Sequence, residues 1–336
     1  MRSTIEGQLI RRDRVAREAE EEWLAPAATR SRNSRGRMRR EPPDEFRTAF
    51  ERDRDRILHS KAFRRLKHKT QVFINPEGDH YVTRLTHTLQ VTQISRAIAA
   101  ALSLNEPLAE AIGLGHDVGH SAFGHTGEEA LSPYFPDKGW HHAAQSLRIL
   151  ETLENLNLTW EVRDGIRAHS WKIEPPPGTP EAMTVRYGDR IAYLTHDALD
   201  ALRAGVLEPT DFPQRALERF GAPGRLWIDE MINAVIDESL RTGAVRMDPE
   251  TLEVMNELRD FMFERVYLSP IQRTHTDFAV GVLRRLVDHH LEHPDEIPDT
   301  YRDTDADLTT QVVDYVAGMT DRFALQAHDR LFGLED

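Results

Sequence analysis

Cysteine is absent from all 336 residues. That removes disulfides, thiolate metal ligands and cysteine nucleophiles, so any metal here must be held by nitrogen and oxygen. Long apolar runs are missing as well. None approaches the roughly 18 residues that would cross a bilayer. The opening stretch MRSTIEGQLIRRDRVAREAEEEW lacks the apolar segment of a signal peptide. A cytoplasmic protein without membrane association is the expectation. Strand signals are sparse, and no fixed-period repeat stands out. What is present is ordinary for a globular chain: 39% hydrophobic and 29% charged residues, enough for a sizeable core in one large domain or two smaller ones.

The net charge of −13 is unevenly spread. Residues 1–70 hold 20 Lys+Arg against 12 Asp+Glu, and the cluster RSRNSRGRMRR at 30–40 has little to bury. It reads as a basic, flexible, solvated arm over residues 1–43. The sharper alternative is a contact for a polyanion, single-stranded nucleic acid or a nucleotide, although no aromatic residues are interleaved to read bases. From residue 44 onward the pattern is helical. Phe46, Phe50, Ile57, Phe63 and Leu66 recur at helical spacing, NPEGD at 75–79 reads as a turn, and Val82, Leu85, Leu89, Ile94 and Ile98 share an apolar face. Asn105 and Pro107 open a further helix that runs through Leu114 into His116. More helices are expected at about 142–157, 180–205, 226–242, 249–266, 275–291 and 307–331. The prolines of IEPPPGTPE make a loop rather than a linker, because helical patterning resumes at once. The chain is expected to be all-α, with a core over 44–205 and a helical region over 206–336 packed on it.

At 115–125 the chain reads GHDVGHSAFGH, three histidines and an aspartate among glycines. Imidazole and carboxylate brought together from several helices make a nitrogen and oxygen metal site. Candidate ligands are His87 in TRLTHTLQV, His116 and Asp117 at the end of the helix opened by Asn105, and Asp189 in RYGDRIAYL. Neighbours on a helix diverge by about 100°, so a His-Asp pair can grip one ion only near a helix end. Each residue also has a plainer reading: His87 as a hydrogen-bonded core histidine, Asp189 as a solvated or capping carboxylate. The dipeptide alone carries little weight, since it recurs at 196–197.

The order His, His-Asp, distant Asp resembles the HD-domain phosphohydrolases. RDRDRILHSKAFRRLKHKTQVF, TRLTHTLQV, GLGHDVGHSAFGHTGEEAL, QSLRIL, DRIAYLTHDALDALRAG and VVDYVAGMTDRFA together resemble the bacterial deoxyguanosine triphosphate triphosphohydrolase family over about residues 52–325. The resemblance implies an HD-domain catalytic core over 44–205. It implies a metal on His87, His116, Asp117 and Asp189, whose identity (Mn, Mg, Fe, Co, Ni or Zn) stays open, and Mg on the substrate triphosphate. It implies cleavage of deoxynucleoside triphosphates at the α-phosphorus, with His125 transferring a proton, Glu128 orienting it and His120 touching phosphate. Arg54, Arg84 and Arg190 match phosphate-binding cations, Gln71, Tyr193 and Asp197 the sugar pocket, and His142 a further site histidine. Ala143 departs from the Asn or Glu common after that histidine, so a supporting contact is missing there. A ring-like hexamer is also implied. Rival readings are another HD phosphohydrolase, a 5′-deoxynucleotidase or cyclic-nucleotide phosphodiesterase, and a non-catalytic nucleotide- or nucleic-acid-binding protein.

Overall fold

The computed structural model describes residues 10–71, 82–268, 270–302 and 305–333. The turn expected at 75–79 lies outside them. The described residues form sixteen α-helices and no strand, apart from isolated bridges between Arg37 and Thr159 and between Thr70 and Thr83. The chain is all-α. No described helix is long and apolar enough to cross a membrane.

Local chemistry sets the ends of the helices that carry the site. Thr83 caps the Arg84–Ala101 helix, accepting from the Thr86 N–H while the Thr86 side chain accepts from the Thr83 N–H. Asn105 caps Glu106–Gly115, and Thr179 caps Pro180–Arg203, each saturating an amide that the helix leaves unpaired. These three helices lie close together because small residues face each other. A Cβ on Gly113 would meet Thr92 Oγ1 at 2.8 Å, and one on Gly188 would meet Ser95 Oγ at 2.4 Å. Ile57 of the Ala49–Leu58 helix, Ile112 and Ile166 of the Trp160–Ala168 helix are fully buried around them.

Several expected boundaries shift. The pattern from Phe46 to Leu66 is two helices, Ala49–Leu58 and Lys61–Arg65, because the Ser60 hydroxyl accepts from the Phe63 N–H and starts a new one. Likewise 307–331 divides into Leu308–Ala317 and Asp321–Phe332, the second capped by Thr320. Leu89 is 48% exposed, and the buried stripe runs instead through His87, Val91, Ile94 and Ile98.

Residues 10–43 do not form the solvated arm expected for 1–43. Arg37 is ion-paired with Asp53, which is fully buried, and donates to the Asn157 carbonyl at 2.7 Å. Asp53 also accepts from the N–H and hydroxyl of Thr159, each at 2.7 Å. Arg35 stacks on Trp160 at 3.7 Å, and Arg32 pairs with Glu22. A carboxylate removed from water has to be compensated, and Asp53 draws the basic segment onto the core. The cluster that suggested a polyanion contact is largely engaged with the chain's own groups.

The C-terminal helices make a second core. Leu283, Leu286 and Val287 of Pro270–Glu292 meet Val313 and Val316, and together they cover Phe123, Leu131 and Trp140. Buried polar groups tie this layer to the first. Asp314 accepts from Gln145 Nε2 at 2.8 Å and from Arg148 Nε at 2.7 Å. Asp321 accepts from the Thr70 N–H at 2.8 Å and the Phe123 N–H at 2.9 Å. Lys69, buried, donates to the carbonyls of His120 and Ala317.

The turn after His116 is held against the His142–Arg148 helix by one hydroxyl. Ser146 Oγ accepts from the Gly119 N–H at 2.9 Å and donates to the His116 carbonyl at 2.8 Å. The approach is so close that a Cβ on Gly119 would sit 2.1 Å from Ser146 N and 2.4 Å from the His142 carbonyl oxygen. Backbone cannot yield as a side chain does. Gly119→Ala should therefore destabilise the fold by ~1–3 kcal/mol and loosen the turn that carries Asp117. Urea melts together with metal content check this; an unchanged midpoint would mean that the helix yields freely.

Candidate metal centre and its cleft

His87 lies on the buried face of the Arg84–Ala101 helix, one turn beyond Arg84. His116 is the C-cap of Glu106–Gly115 and Asp117 follows it, while Asp189 projects from the middle of Pro180–Arg203. The four meet. His87 Nε2 is 3.2 Å from Asp189 Oδ1 and 3.9 Å from Asp117 Oδ2. His116 Nε2 is 3.5 Å from Asp117 Oδ1 and 3.8 Å from Asp189 Oδ1.

His116 Nδ1 lies 2.7 Å from the Gly113 carbonyl, which can only accept, so Nδ1 carries a proton. In that tautomer Nε2 is a lone pair, buried, with no hydrogen-bond partner. A lone pair turned toward two carboxylate oxygens is repulsive unless a positive ion lies between them. The residues fit a divalent metal.

Asp117 is the most constrained group. It is 3% exposed, accepts from Arg84 Nη1 at 2.8 Å, and has His120 Nε2 at 3.3 Å. Burial alone would raise its pKa, but His116, His120 and Arg84 hold it well below the usual carboxylate range. Asp189 is likewise held at about 2, burial being outweighed by the bond from His87 and the fields of His116 and His87. His120 is pushed far below the ordinary imidazole value by burial first, then by Arg84 and His142.

Beyond the metal set lies a stack of imidazoles. The rings of His120 and His142 are 3.9 Å apart and 15° from parallel. His169 Nδ1 donates to the Ile166 carbonyl at 2.7 Å, and burial lowers this imidazole to about 3, so its Nε2 is an acceptor. His142 Nε2 donates to that atom at 2.9 Å, and His142 Nδ1 donates to the Glu128 carboxylate. His142 thus spans Glu128 and His169, one ring nitrogen against each. Glu128 also receives the His142 N–H at 2.9 Å, whereas His125 Nδ1 is 3.7 Å away. Burial opposes the charge on Glu128, yet the neighbouring His125 and the bonds from His142 keep it ionised. The His125 side chain is 71% exposed and faces the cleft.

The cleft has a volume of about 540 Å³ and opens over the metal set. Of the residues picked out from sequence, Gln71, Arg84, His120, His125, His142, Arg190, Tyr193 and Asp197 line it together with His87, Asp117 and Asp189. Arg190 donates to Asn256 Oδ1 at 2.8 Å and stacks on Trp171 at 4.0 Å. Asp197 is pushed up to about 7 by burial, despite accepting from the Tyr267 hydroxyl at 2.7 Å. His116 and Glu128 are not in the lining but contact residues that are, whereas Arg54 lies apart. It is bonded to Asp55 at 2.9 Å and to Glu110 at 3.4 Å, outside this cleft. Its position in RDRDR alternates with acids, which supply partners nearer than any phosphate in the cleft would be. Ala143 is buried behind the site, its N–H donating to His141.

Among the lining residues that sequence did not point to are His169, Lys172, Arg259 and Tyr267. Each is a lone polar residue in an unremarkable context, and tertiary packing alone brings them to the cleft.

Residues 84–194 match the HD domain family, and residues 245–330 match the phosphohydrolase-associated domain. A deoxyguanosinetriphosphate triphosphohydrolase-like protein of Caldanaerobacter subterraneus subsp. tengcongensis is 47% identical over 325 residues, covering 95% of each chain. Proteins of that name from Desulfatibacillum aliphaticivorans and Clostridium perfringens strain 13 are 43% and 42% identical, covering 93% and 92% of this chain and 95% and 94% of their own.

If the four residues share one ion, His116→Ala or Asp117→Ala should lose the bound divalent metal while helical content is retained. Metal analysis of the purified variants beside circular dichroism checks this. Full metal occupancy in either variant would show that the ion sits elsewhere.

Proposed function

Because this chain belongs to the deoxyguanosinetriphosphate triphosphohydrolase-like family, we propose that it hydrolyses deoxynucleoside triphosphates to deoxynucleoside and intact tripolyphosphate. The observation that carries the reading is the meeting of His87, His116, Asp117 and Asp189 in a cleft that also presents Arg190, Arg259 and Lys172. A divalent ion on those four residues would supply Lewis acidity toward an α-phosphate oxygen and the attacking water; Mn, Mg, Fe, Co, Ni and Zn all suit such donors.

The chain's own residues supply the rest. Arg84 fixes the Asp117 carboxylate through its 2.8 Å bond. Arg190, stacked on Trp171, and Lys172 offset the charge of the phosphate chain, with Arg259, now bonded to Asp260 in the lining, and Mg on the triphosphate sharing that load. Neutral His120 offers a nitrogen to a phosphate oxygen. Water adds to the α-phosphorus as the bond to the sugar 5′-oxygen breaks. That oxygen would leave as a poor alkoxide, and His125 hands it a proton, oriented by the ionised Glu128. Asp197, poised between charge states by its burial, accepts from the sugar 3′-hydroxyl with Gln71 nearby, and Tyr193 lies one helical turn from Asp189 to cover C2′.

A nucleotidase or cyclic-nucleotide phosphodiesterase would have little use for Arg190, Arg259 and Lys172 all in the lining, and a non-catalytic binder would not need His125 beside Glu128. The family resemblance further suggests a ring-like hexamer working in the cytoplasm.

Tripolyphosphate should appear when the protein is given mixed deoxynucleoside triphosphates with Mn²⁺ or Mg²⁺. Pyrophosphate or orthophosphate alone would overturn the reading. In the same assay His125→Ala should lower turnover by ~10²–10⁴-fold at unchanged metal content; metal loss would instead make His125 a ligand.

Sugar selection follows from Tyr193. A ribose 2′-hydroxyl placed against its ring would be buried unpaired at a cost of ~1–3 kcal/mol. Ribonucleotides should therefore be poor substrates, and Tyr193→Ala should narrow the ratio of kcat/KM between dGTP and GTP. A ratio that does not move would make Tyr193 core packing.

A further inference from the structure

The last turns of the Pro270–Glu292 helix and the short Pro294–Glu296 turn after it read DHHLEHPDE, over residues 288–296. None of these residues lines the catalytic cleft. One ligand atom each from His289, His290 and Glu296 lies within 4.8 Å of the others, and the His293 ring is centred 4.7 Å from that of His289.

Helix capping explains part of this. His289 and His293 favour the negative end of a helix, and His289 Nε2 meets Glu296 Oε2 at 2.8 Å. It does not explain His290, which is 5% exposed and leaves its Nδ1 buried with no hydrogen-bond partner. An unsatisfied buried nitrogen costs stability, and this one belongs to a ring that packs 5.1 Å from His289 and within the field of Glu296 and His293. Burial keeps the imidazole neutral, the form that binds metals.

We propose that His289, His290 and Glu296, with His293 in reach, form a second metal site for a zinc-class divalent ion, separate from the HD centre. Imidazole and carboxylate are the donors such ions take, at bond lengths near ~2.0–2.2 Å. Small side-chain rotations close the present spacing to the separation a tetrahedral ion needs. The ion would replace the His289–Glu296 hydrogen bond and pin the helix end to the following turn. His290 also packs on Tyr315 and His289 on Phe332, so the clip would brace the whole C-terminal layer.

The test uses the full chain carrying His116→Ala and Asp117→Ala, so that the HD centre cannot hold metal. After equilibrium dialysis against micromolar Zn²⁺, this protein should retain one zinc per chain and melt at a higher temperature than without it. Adding His290→Ala or the exposed change Glu296→Gln should abolish both the bound zinc and the thermal shift. If His290→Ala fails to fold, Glu296→Gln decides alone. A background protein that binds no zinc, or a Glu296→Gln protein that binds it undiminished, overturns the site.

Discussion

A carboxylate without water, Asp117, sets the terms for everything around it. At 3% exposure it cannot rely on solvent, and Arg84, His116 and His120 supply the compensating field. Those three residues come from a helix start, a helix end and a tight turn. Each must stay where it is, or the charge is left uncompensated at considerable cost. The packing of small residues along the central helices serves this requirement. Gly113 and Gly188 let the helices bearing His116 and Asp189 approach the one bearing His87.

The same logic recurs outward from the site. Asp53 binds the N-terminal segment to Thr159 through Arg37, Asp314 binds the His142–Arg148 helix to the C-terminal layer, and Asp321 holds the backbone on either side of the cleft mouth. Glu181 does likewise for Thr29 and Asn105. Each buried carboxylate joins segments far apart in sequence. Geometry at the metal set is therefore determined by the whole chain, including the C-terminal helices that contribute none of its four donors.

The cleft separates two kinds of chemistry by environment. Its floor holds groups whose charge states are frozen by burial and pairing, as with Asp117, Asp189 and neutral His120. At its rim, His125 is exposed and close to an anchored carboxylate. Glu128 is anchored mainly by His142, which in turn leans on His169. The buried His142 and His169 rings thus stand behind the exposed His125.

The sequence by itself determined the helical class, most of the long helices and the identity of the four metal-set candidates. Helical periodicity, N-capping residues and the His-Asp pair at a helix end are local signals, each readable within a few turns of chain. The further cleft candidates came from the family resemblance, and most of them line the cleft, while Arg54 is held by Asp55 and Glu110. Only the tertiary structure decided that the basic segment at 30–40 folds onto Asp53, that Glu128 answers first to His142, and that His169, Lys172, Arg259 and Tyr267 reach the cleft. The physical reason is common to all of these. A buried charge selects its partner by proximity in space, and nothing in the few residues around Arg37, His142 or His169 records which distant group will be brought beside it.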